Sequence, residues 1–512
     1  MSFFKDVVTS LVNRIAPTVS YVERQNIRTS MSDNFDTPSA HAGNSRGFYI
    51  GSVSAGNLKD WNPPTSDADS ELSYDLVSLQ NRSRDAIRNY ALARGIINTK
   101  VTNVISTGIF PHPNVDFERL GISEDAAYTL NKSIKDEFSL FAESQDFDIS
   151  GGNNFYQSQS IMYRSRLEAG NVLGLLTNKR RRNNPYITRL QIIEGDLLVN
   201  KNYMPDTETL TAEGGDVVGY QFLSAYQNTQ KITKKRNEWR EVAKYGTRTG
   251  LQNVVHLFDQ TRPGQHKGVP ELTTVIYLLK QLYEYTKATI DASLLAARIN
   301  IFVKTDGTVK FGENQEEIAR NEYTVNGNRA INLAEGESIE FNDPTYPNAN
   351  FDSFVISILK QISSSTEIPV ELLVKSFAAS YAASRVNMLD FSKLVFRERQ
   401  TLVSDFCQPV YERFMYELAL SGRVALPGYL SNPDPMIRLS YLKANWVGSH
   451  AATSINPLQD INAARIAIDM GLTTLESETL ARYGRSWTDQ QGQRAREKAI
   501  IRAQNMEFNE DV

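Results

Sequence analysis

Between Pro270 and Arg298 the sequence is expected to wind into one helix of roughly 43 Å, and few compact cores need an interior helix of that reach. Pro270 suits the first helical position, where a backbone N–H would have no partner in any case. Leu272, Val275, Leu279 and Leu282 follow at spacings of three, four and three, a short heptad seam. That seam fits equally a stripe on the chain's own core and a surface packed on a neighbouring copy. Lys280 with Glu284 and Lys287 with Asp291 fall four apart on other faces, placed for ion pairs along the helix. A strand-rich insert follows over 300–347, with INIFVKTDG, NGNRAINL and ESIEFNDP as its strand-like runs. FDSFVISILKQI then begins a second helix after Pro347, and Pro369 stops it.

Around this pair of helices the pattern alternates between helical and strand-like. Residues 2–16 can form an amphipathic helix with Phe4, Val7, Val8, Leu11 and Ile15 on one face. Asn26 to Asp69 is polar and rich in turn residues, an extended arm pinned by Phe48, Tyr49 and Trp61. Leu72 to Ser106 is helical, with a break at Gly95 and an end at Gly108 and Pro111; further helices cover Ser123–Glu143 and 155–170. From Val172 to Phe258 the runs VLGLLTN, YITRLQIIEGDLLV, VVGYQFL and NVVHLF read as strands. Lys179 to Arg182 lies between two of them, a solvated hairpin tip or, alternatively, a patch for a partner. After Pro369, KSFAASYAAS is a loop of small residues, and a helix runs from about Ser384 towards Leu420 with Pro409 forcing a kink. In the tail, Asn456-Pro457 starts a helix that Gly471 ends, and Thr473-x-x-Glu476 and Thr488-x-x-Gln491 read as capping boxes for two more.

At 512 residues the chain is long enough for about three domains. Its 55 Lys+Arg against 59 Asp+Glu leave a formal charge of -4, which excludes a protein that lives by wrapping nucleic acid. One cysteine, Cys407, excludes an intrachain disulfide framework, and five scattered histidines offer no zinc-ligand spacing. There is no Gly-Lys dipeptide, hence no Walker A loop, and neither H-E-x-x-H nor C-x-x-C occurs. Gly43 to Gly47 matches G-x-S-x-G, but in a polar arm without the strand and helix that a nucleophile elbow needs. No cofactor, metal or catalytic residue is expected. Lys5 and Asp6 interrupt any signal-peptide core, and no run approaches the ~20 apolar residues of a spanning helix, so a soluble chain without membrane contact is expected.

Four stretches, in order from about residue 72 to 500, resemble the lambda-type family of phage portal proteins. They are Arg82-x-Arg84 with Asn89, Gly95 and Gly108; VVHLFDQTRPGQHKGVPEL at 254–272; Ile368-Pro369, Leu372-Leu373 and Tyr381-Ala382-Ala383-Ser384-Arg385; and Trp446-Val447-Gly448, Asn456-Pro457-Leu458 and Gly471-Leu472-Thr473. Lys267 stands where the family usually has Arg, Ser106 where Gly is common and Asn456 where Asp is common.

The resemblance implies an α+β, mostly helical portal fold with wing, long-helix stem, strand-containing clip and helical crown. It also implies assembly as a homododecameric ring at a capsid vertex, through which double-stranded DNA is packaged and ejected. The corresponding segments are an N-terminal arm (1–69), wing (70–265), stem helix (266–299), clip (300–350), returning stem helix (351–372), channel loop (373–384), kinked helix and wing return (385–450) and crown (451–512). Twelve inner helices about 10 Å apart would enclose a bore of about 28 Å, wide enough for a duplex to slide. In this reading the channel loop and its DNA contacts are Lys375, Ser376, Phe377, Ser380, Tyr381, Ser384 and Arg385. Lys304, Asp306, Lys310, Glu316 and Arg320 of the clip would dock the motor, and Leu272, Val275, Leu279 and Leu282 would pack the stem. Implied partners are the terminase large subunit, the major capsid protein or scaffold, and head-completion or tail-connector proteins. The implied location is the virion's portal vertex after assembly in the host cytoplasm. A metal-dependent hydrolase or nuclease with a helical accessory region, and a virion adaptor that is not a portal, are the competing readings.

Overall fold

The structure is a computed structural model that describes residues 65–198, 209–211, 217–223, 239–298, 302–305, 322–325, 328–331, 337–340, 351–376, 381–448, 457–483 and 487–503. The chain divides into two compact units, Met1–Ser66 and Asp67–Val512, and every described helix and strand belongs to the second. The helix expected over 2–16, the pinned aromatics of the arm and the Gly43–Gly47 run lie outside the described residues.

The first described helix, Ala68–Asn89, starts four residues before Leu72 because Asp67 caps it, its side chain accepting from Ser70 N at 2.9 Å. The break before the next helix, Ala91–Val104, falls at Tyr90 and not at Gly95. Tyr90 is extended (φ -106°, ψ 119°) and stacks on Tyr283 of the long helix at 4.8 Å, whereas Gly95 is simply absorbed into the helix at modest cost. Ser123 caps Glu124–Glu143 as expected, and Asn154 with Gln157 forms a capping box on Phe155–Ala169.

Gly170 ends that helix with φ +83°, and a Cβ there would lie 2.4 Å from the carbonyl oxygen of Gly268. This close approach of two backbones is what the Gly268-Val269-Pro270 element supplies: it brings the approach to the long helix against the body, where Glu271 N donates to Leu167 O at 2.9 Å. Gln265, almost fully buried, organises the turn just before it. Its Oε1 accepts from Thr261 N at 2.9 Å and Arg262 N at 3.1 Å.

The body sheet has Asn171–Asn178 at its centre, flanked antiparallel by Thr188–Glu194 and Val254–Phe258. The expected strand over 186–199 is therefore shorter, ending in a 3-10 turn at Gly195–Leu197. Arg181 folds back on Asp146 at 2.9 Å, while Lys179, Arg180 and Arg182 stay exposed, the solvated tip reading. A second sheet joins Thr209–Thr211, Val217–Leu223 and Trp239–Ala243. The two-stranded pairing of Ile109–Pro113 with Ala444–Gly448 closes the body across more than three hundred residues of chain. Between these layers lies an aromatic core in which Phe138 meets Phe414 edge-on at 5.1 Å and Phe147 meets Phe155 at 5.5 Å.

The long helix is Ile276–Arg298, about 35 Å, shorter than expected because Pro270 to Val275 forms turns and not helix. It pairs antiparallel with Phe351–Thr366: Thr274 Oγ1 lies 2.6 Å from Ser365 Oγ at one end, and Tyr285 stacks on Phe351 at 5.6 Å further along. Between the two helices the described residues of the insert form two antiparallel strand pairs. Phe302–Thr305 pairs with Glu337–Glu340 and, between them in sequence, Glu322–Val325 pairs with Asn328–Ile331; the two residues that separate the inner pair in sequence are Asn-Gly, the dipeptide most favoured in two-residue turns.

From Tyr381 to Ser421 the chain is helical, with a π turn at Val403–Cys407 where Gln408 N–H reaches back five residues to Val403 O. The expected kink at Pro409 takes this form because the proline lacks an N–H and its ring crowds the preceding turn. In the tail, Pro457–Asp469 ends at Gly471 as expected. The capping boxes shift, however. Thr474, not Thr473, accepts from Ser477 N at 3.1 Å, and Thr488 lies inside the helix Trp487–Ala503. Among the described residues no helix is long and apolar enough to cross a membrane.

Candidate functional site

The segment expected to line a channel is shorter than its assigned 373–384. Pro369 starts a one-turn helix, Val370–Val374, and Lys375 ends it in the left-handed conformation (φ 53°) with its N–H on Glu371 O. Ser376 N also donates to Glu371 O, at 3.1 Å, and both residues are exposed. Helix resumes at Tyr381, three residues before the expected Ser384, because Tyr-Ala-Ala-Ser has no breaker. Phe377 and Ser380 lie outside the described residues.

Two of the assigned contacts are occupied otherwise. Ser384 is 8% exposed, so it cannot present its hydroxyl to a passing ligand in this conformation. Arg385 pairs with Asp460 of the tail at 3.3 Å, which makes it a strut between the channel-side helix and the tail. Lys375 and Ser376 keep the surface position that the assignment requires.

Beside this segment lies a cleft of about 640 Å³ between Phe351–Thr366 and Tyr381–Leu402, floored by Ile356, Pro369, Val374 and Phe391. Glu367, Glu371 and Asp390 stand on its rim against Lys360. Glu367 receives Arg397 Nη2 at 3.2 Å on each oxygen, and Glu371 accepts from Asn387 Nδ2 at 3.2 Å. Lys393 Nζ lies 3.2 Å from Asp390 Oδ1, so with Arg397 and Lys360 the three rim carboxylates are matched by three cations and the surroundings of Lys375 are close to charge-balanced.

The stem leucines resolve in favour of the intrachain alternative. Leu272, Val275 and Leu279 are at most 2% exposed, and Leu282 packs against the same core. Leu272, Val275 and Leu279 are thus taken up by the chain's own core, the first two from the turns that precede the helix. Tyr277, Ile290 and Leu294 are the exposed apolar residues of that helix. Of the expected docking residues, Lys304 lies on Phe302–Thr305 opposite Ser338, whereas Asp306, Lys310, Glu316 and Arg320 lie outside the described residues.

Several groups were not singled out from sequence. Arg166 and Glu398 form a buried ion pair at 2.8 Å, with Tyr163 Oη donating to the same carboxylate at 3.4 Å. The pair ties Phe155–Ala169 to the helix carrying Arg385. Burial, reinforced by Glu398, pushes the Tyr163 phenol well above its ordinary range. His256 borders a cleft of about 660 Å³, its Nε2 sealed and without a hydrogen-bond partner. Burial, with the charges of Lys244 and His266 adding, pushes its pKa down to about 3. Nothing in sequence spacing announces such groups, since each is assembled from segments far apart. Among the described residues no group of three or more His, Cys, Asp or Glu could hold a metal ion.

Comparison with known proteins follows the same line as the residues. The family model for phage portal proteins of the lambda family matches residues 54–400. The chain is 20% identical over 477 residues to the portal protein of Escherichia phage N15, covering 88% of this chain and 89% of that one. It is likewise 20% identical over 486 residues to portal protein B of Escherichia phage lambda, at the same coverage of 88% and 89%. Among solved structures, a chain in the virion of a native gene transfer agent particle is similar with a TM-score of 0.44 and 12% identity over 79% of this chain and 92% of that one. A chain in the neck of an empty particle, solved with C6 symmetry, reaches 0.45 and 13% at the same coverage.

Proposed function

The chain belongs to the lambda family of phage portal proteins, and from that premise we propose that it forms a homododecameric ring at one capsid vertex through which double-stranded DNA is packaged and later ejected. The observation that carries this reading is the antiparallel pair Ile276–Arg298 and Phe351–Thr366 with the β insert between them. A rod of that length holding a small β module suits a stem, and the module suits a clip that meets the packaging motor. The terminase large subunit would dock there, with Lys304, Asp306, Lys310, Glu316 and Arg320 as the candidate contacts. Capsid or scaffold protein would surround the body, and head-completion or tail-connector proteins would follow after packaging. The protein is a virion component, which we place at the portal vertex after assembly in the host cytoplasm.

Within the ring, Lys375, Ser376, Phe377, Ser380 and Tyr381 are the proposed channel-side residues. The role is structural, and purified protein is expected to hydrolyse neither ATP nor DNA. Electron microscopy of purified protein tests the assembly directly: rings of about twelve subunits with a central hole are expected. A stable monomer, or metal-dependent DNA cleavage that disappears on mutating one of its own carboxylates, would refute the structural role.

A further inference from the structure

The last described helix, Trp487–Ala503, is a rod of about 25 Å that touches the body at one end. Trp487 and Thr488 enter a cleft with Tyr128 and Lys132, and Trp487 N donates to Glu476 Oε2 at 2.7 Å. Beyond that anchor every residue from 491 to 500 is exposed. A helix that is polar nearly all round and buries no stripe needs either dense side-chain pairing or a partner. Pairing is sparse: Gln493 Nε2 donates to Glu497 Oε1 at 2.9 Å. The partner should therefore match the face that the helix presents.

That face is a line of cations. Arg494, Lys498 and Arg502 recur at intervals of four, which puts them on one side of the helix at steps of about 6 Å. All three are exposed, and none has an ion-pair partner among the described residues. Phosphates along one strand of a duplex advance by about 3.4 Å each along the axis, so two steps cover about 7 Å, close to the spacing of the cations. Of the apolar residues on the same side of the helix, Trp487 is taken up by the anchor and Ile501 is half-buried, so what the stripe exposes is cationic and not the apolar centre that a protein interface buries. Interfaces with DNA are polar and positively charged instead.

We propose that the Arg494–Lys498–Arg502 face is a second DNA-contacting surface, holding the phosphates of one strand of a duplex, separate from the segment around Lys375. It rests on the portal reading, in which duplex DNA is the passing ligand. Each subunit would supply three contacts in a row, enough to align a helix on the backbone and too few to stop sliding at physiological salt.

The test is duplex binding by the full-length assembled protein, read as fluorescence anisotropy of a labelled 30-base-pair fragment across 0.05 to 0.2 M salt. Losing three phosphate contacts lowers the log–log salt slope by about 2.7 for each engaged helix, so wild type should lose about 40-fold more affinity over that range than Arg494→Ala/Lys498→Ala/Arg502→Ala. Arg496→Ala, off the stripe, should leave the slope as in wild type. Microscopy of the same samples separates the two ideas: absence of rings in wild type counts against the portal reading. Rings with an unchanged slope in the triple variant would overturn the stripe. So would an Arg496→Ala variant as impaired per residue as the triple, or polyglutamate competing as well as the duplex, which would point to an acidic protein surface.

Discussion

Ser106 holds a backbone that L-residues adopt only under strain, with φ 53° in an exposed turn between Ala91–Val104 and the first strand. Glycine pays no Cβ penalty there, which gives a physical reason for the glycine common in the family at this position. Ser106→Gly should raise stability by about 0.5–1 kcal/mol, read as a higher urea midpoint; an unchanged or lower midpoint would show that the turn is unstrained. His256 makes the opposite kind of demand, since it must stay neutral. Its pKa falls from 6.5 to about 3 on folding, so below pH 6.5 the unfolded chain binds a proton that the folded one refuses. Stability therefore drops as pH falls through this window, by up to about 1.4 kcal/mol per pH unit. Asp405, raised by burial, acts with the opposite sign in both proteins and cancels in a comparison. His256→Phe should flatten the loss between pH 6.5 and 4.5, and equal pH profiles would refute the assignment.

At the scale of elements, the buried pair Arg166–Glu398 joins the body to the channel-side helix more firmly than surface pairs such as Lys280–Glu284 can. Glu398→Ala leaves the guanidinium buried and unpaired, which should cost roughly 3–5 kcal/mol, whereas Arg166→Met/Glu398→Leu should recover most of that. If the double variant is as unstable as the single one in urea, packing and not charge holds the junction. Elements whose ends depend on neighbours in sequence were legible beforehand: Ser123 caps the helix it was expected to start, the helix expected over 155–170 is Phe155–Ala169, and the Phe351–Thr366 helix stands where its apolar run placed it. Misplaced boundaries depend on distant partners. The long helix begins late because the backbone of Gly268 is pressed against Gly170 and Glu271 is bonded to Leu167, contacts that no periodicity within 270–298 encodes. The channel segment was legible as a junction between helices but not in its limits, since small residues such as Ala382 and Ala383 suit a helix as well as a loop. Arg385 looked like a phosphate contact because its partner, Asp460, comes from the tail 75 residues later.

For the whole molecule, the proposed ring requires the channel segment to act on DNA without being needed for folding, and the anchoring on either side allows this. Ile368 and Phe391 are buried in the core, one before and one after the segment, so both flanking helices are fixed independently of what joins them. Lys375 and Ser376 are exposed beside a cleft whose rim carboxylates are already held by Arg397, Lys393 and Asn387. One cation per subunit grips a duplex weakly, which leaves constriction to side-chain bulk, and Phe377 is the large residue between Ser376 and Ser380. Replacing Phe377 to Ser380 with Gly-Ser-Gly-Ser keeps the length and removes that bulk. Rings should form as in wild type, while full-length genome yield and retention per assembled particle should fall. Lys375→Ala should have the smaller effect, growing at low ionic strength where one lost phosphate contact counts for more. Normal yield and retention in the replaced segment would sink the constriction, and loss of the ring would show that the segment is packed core instead.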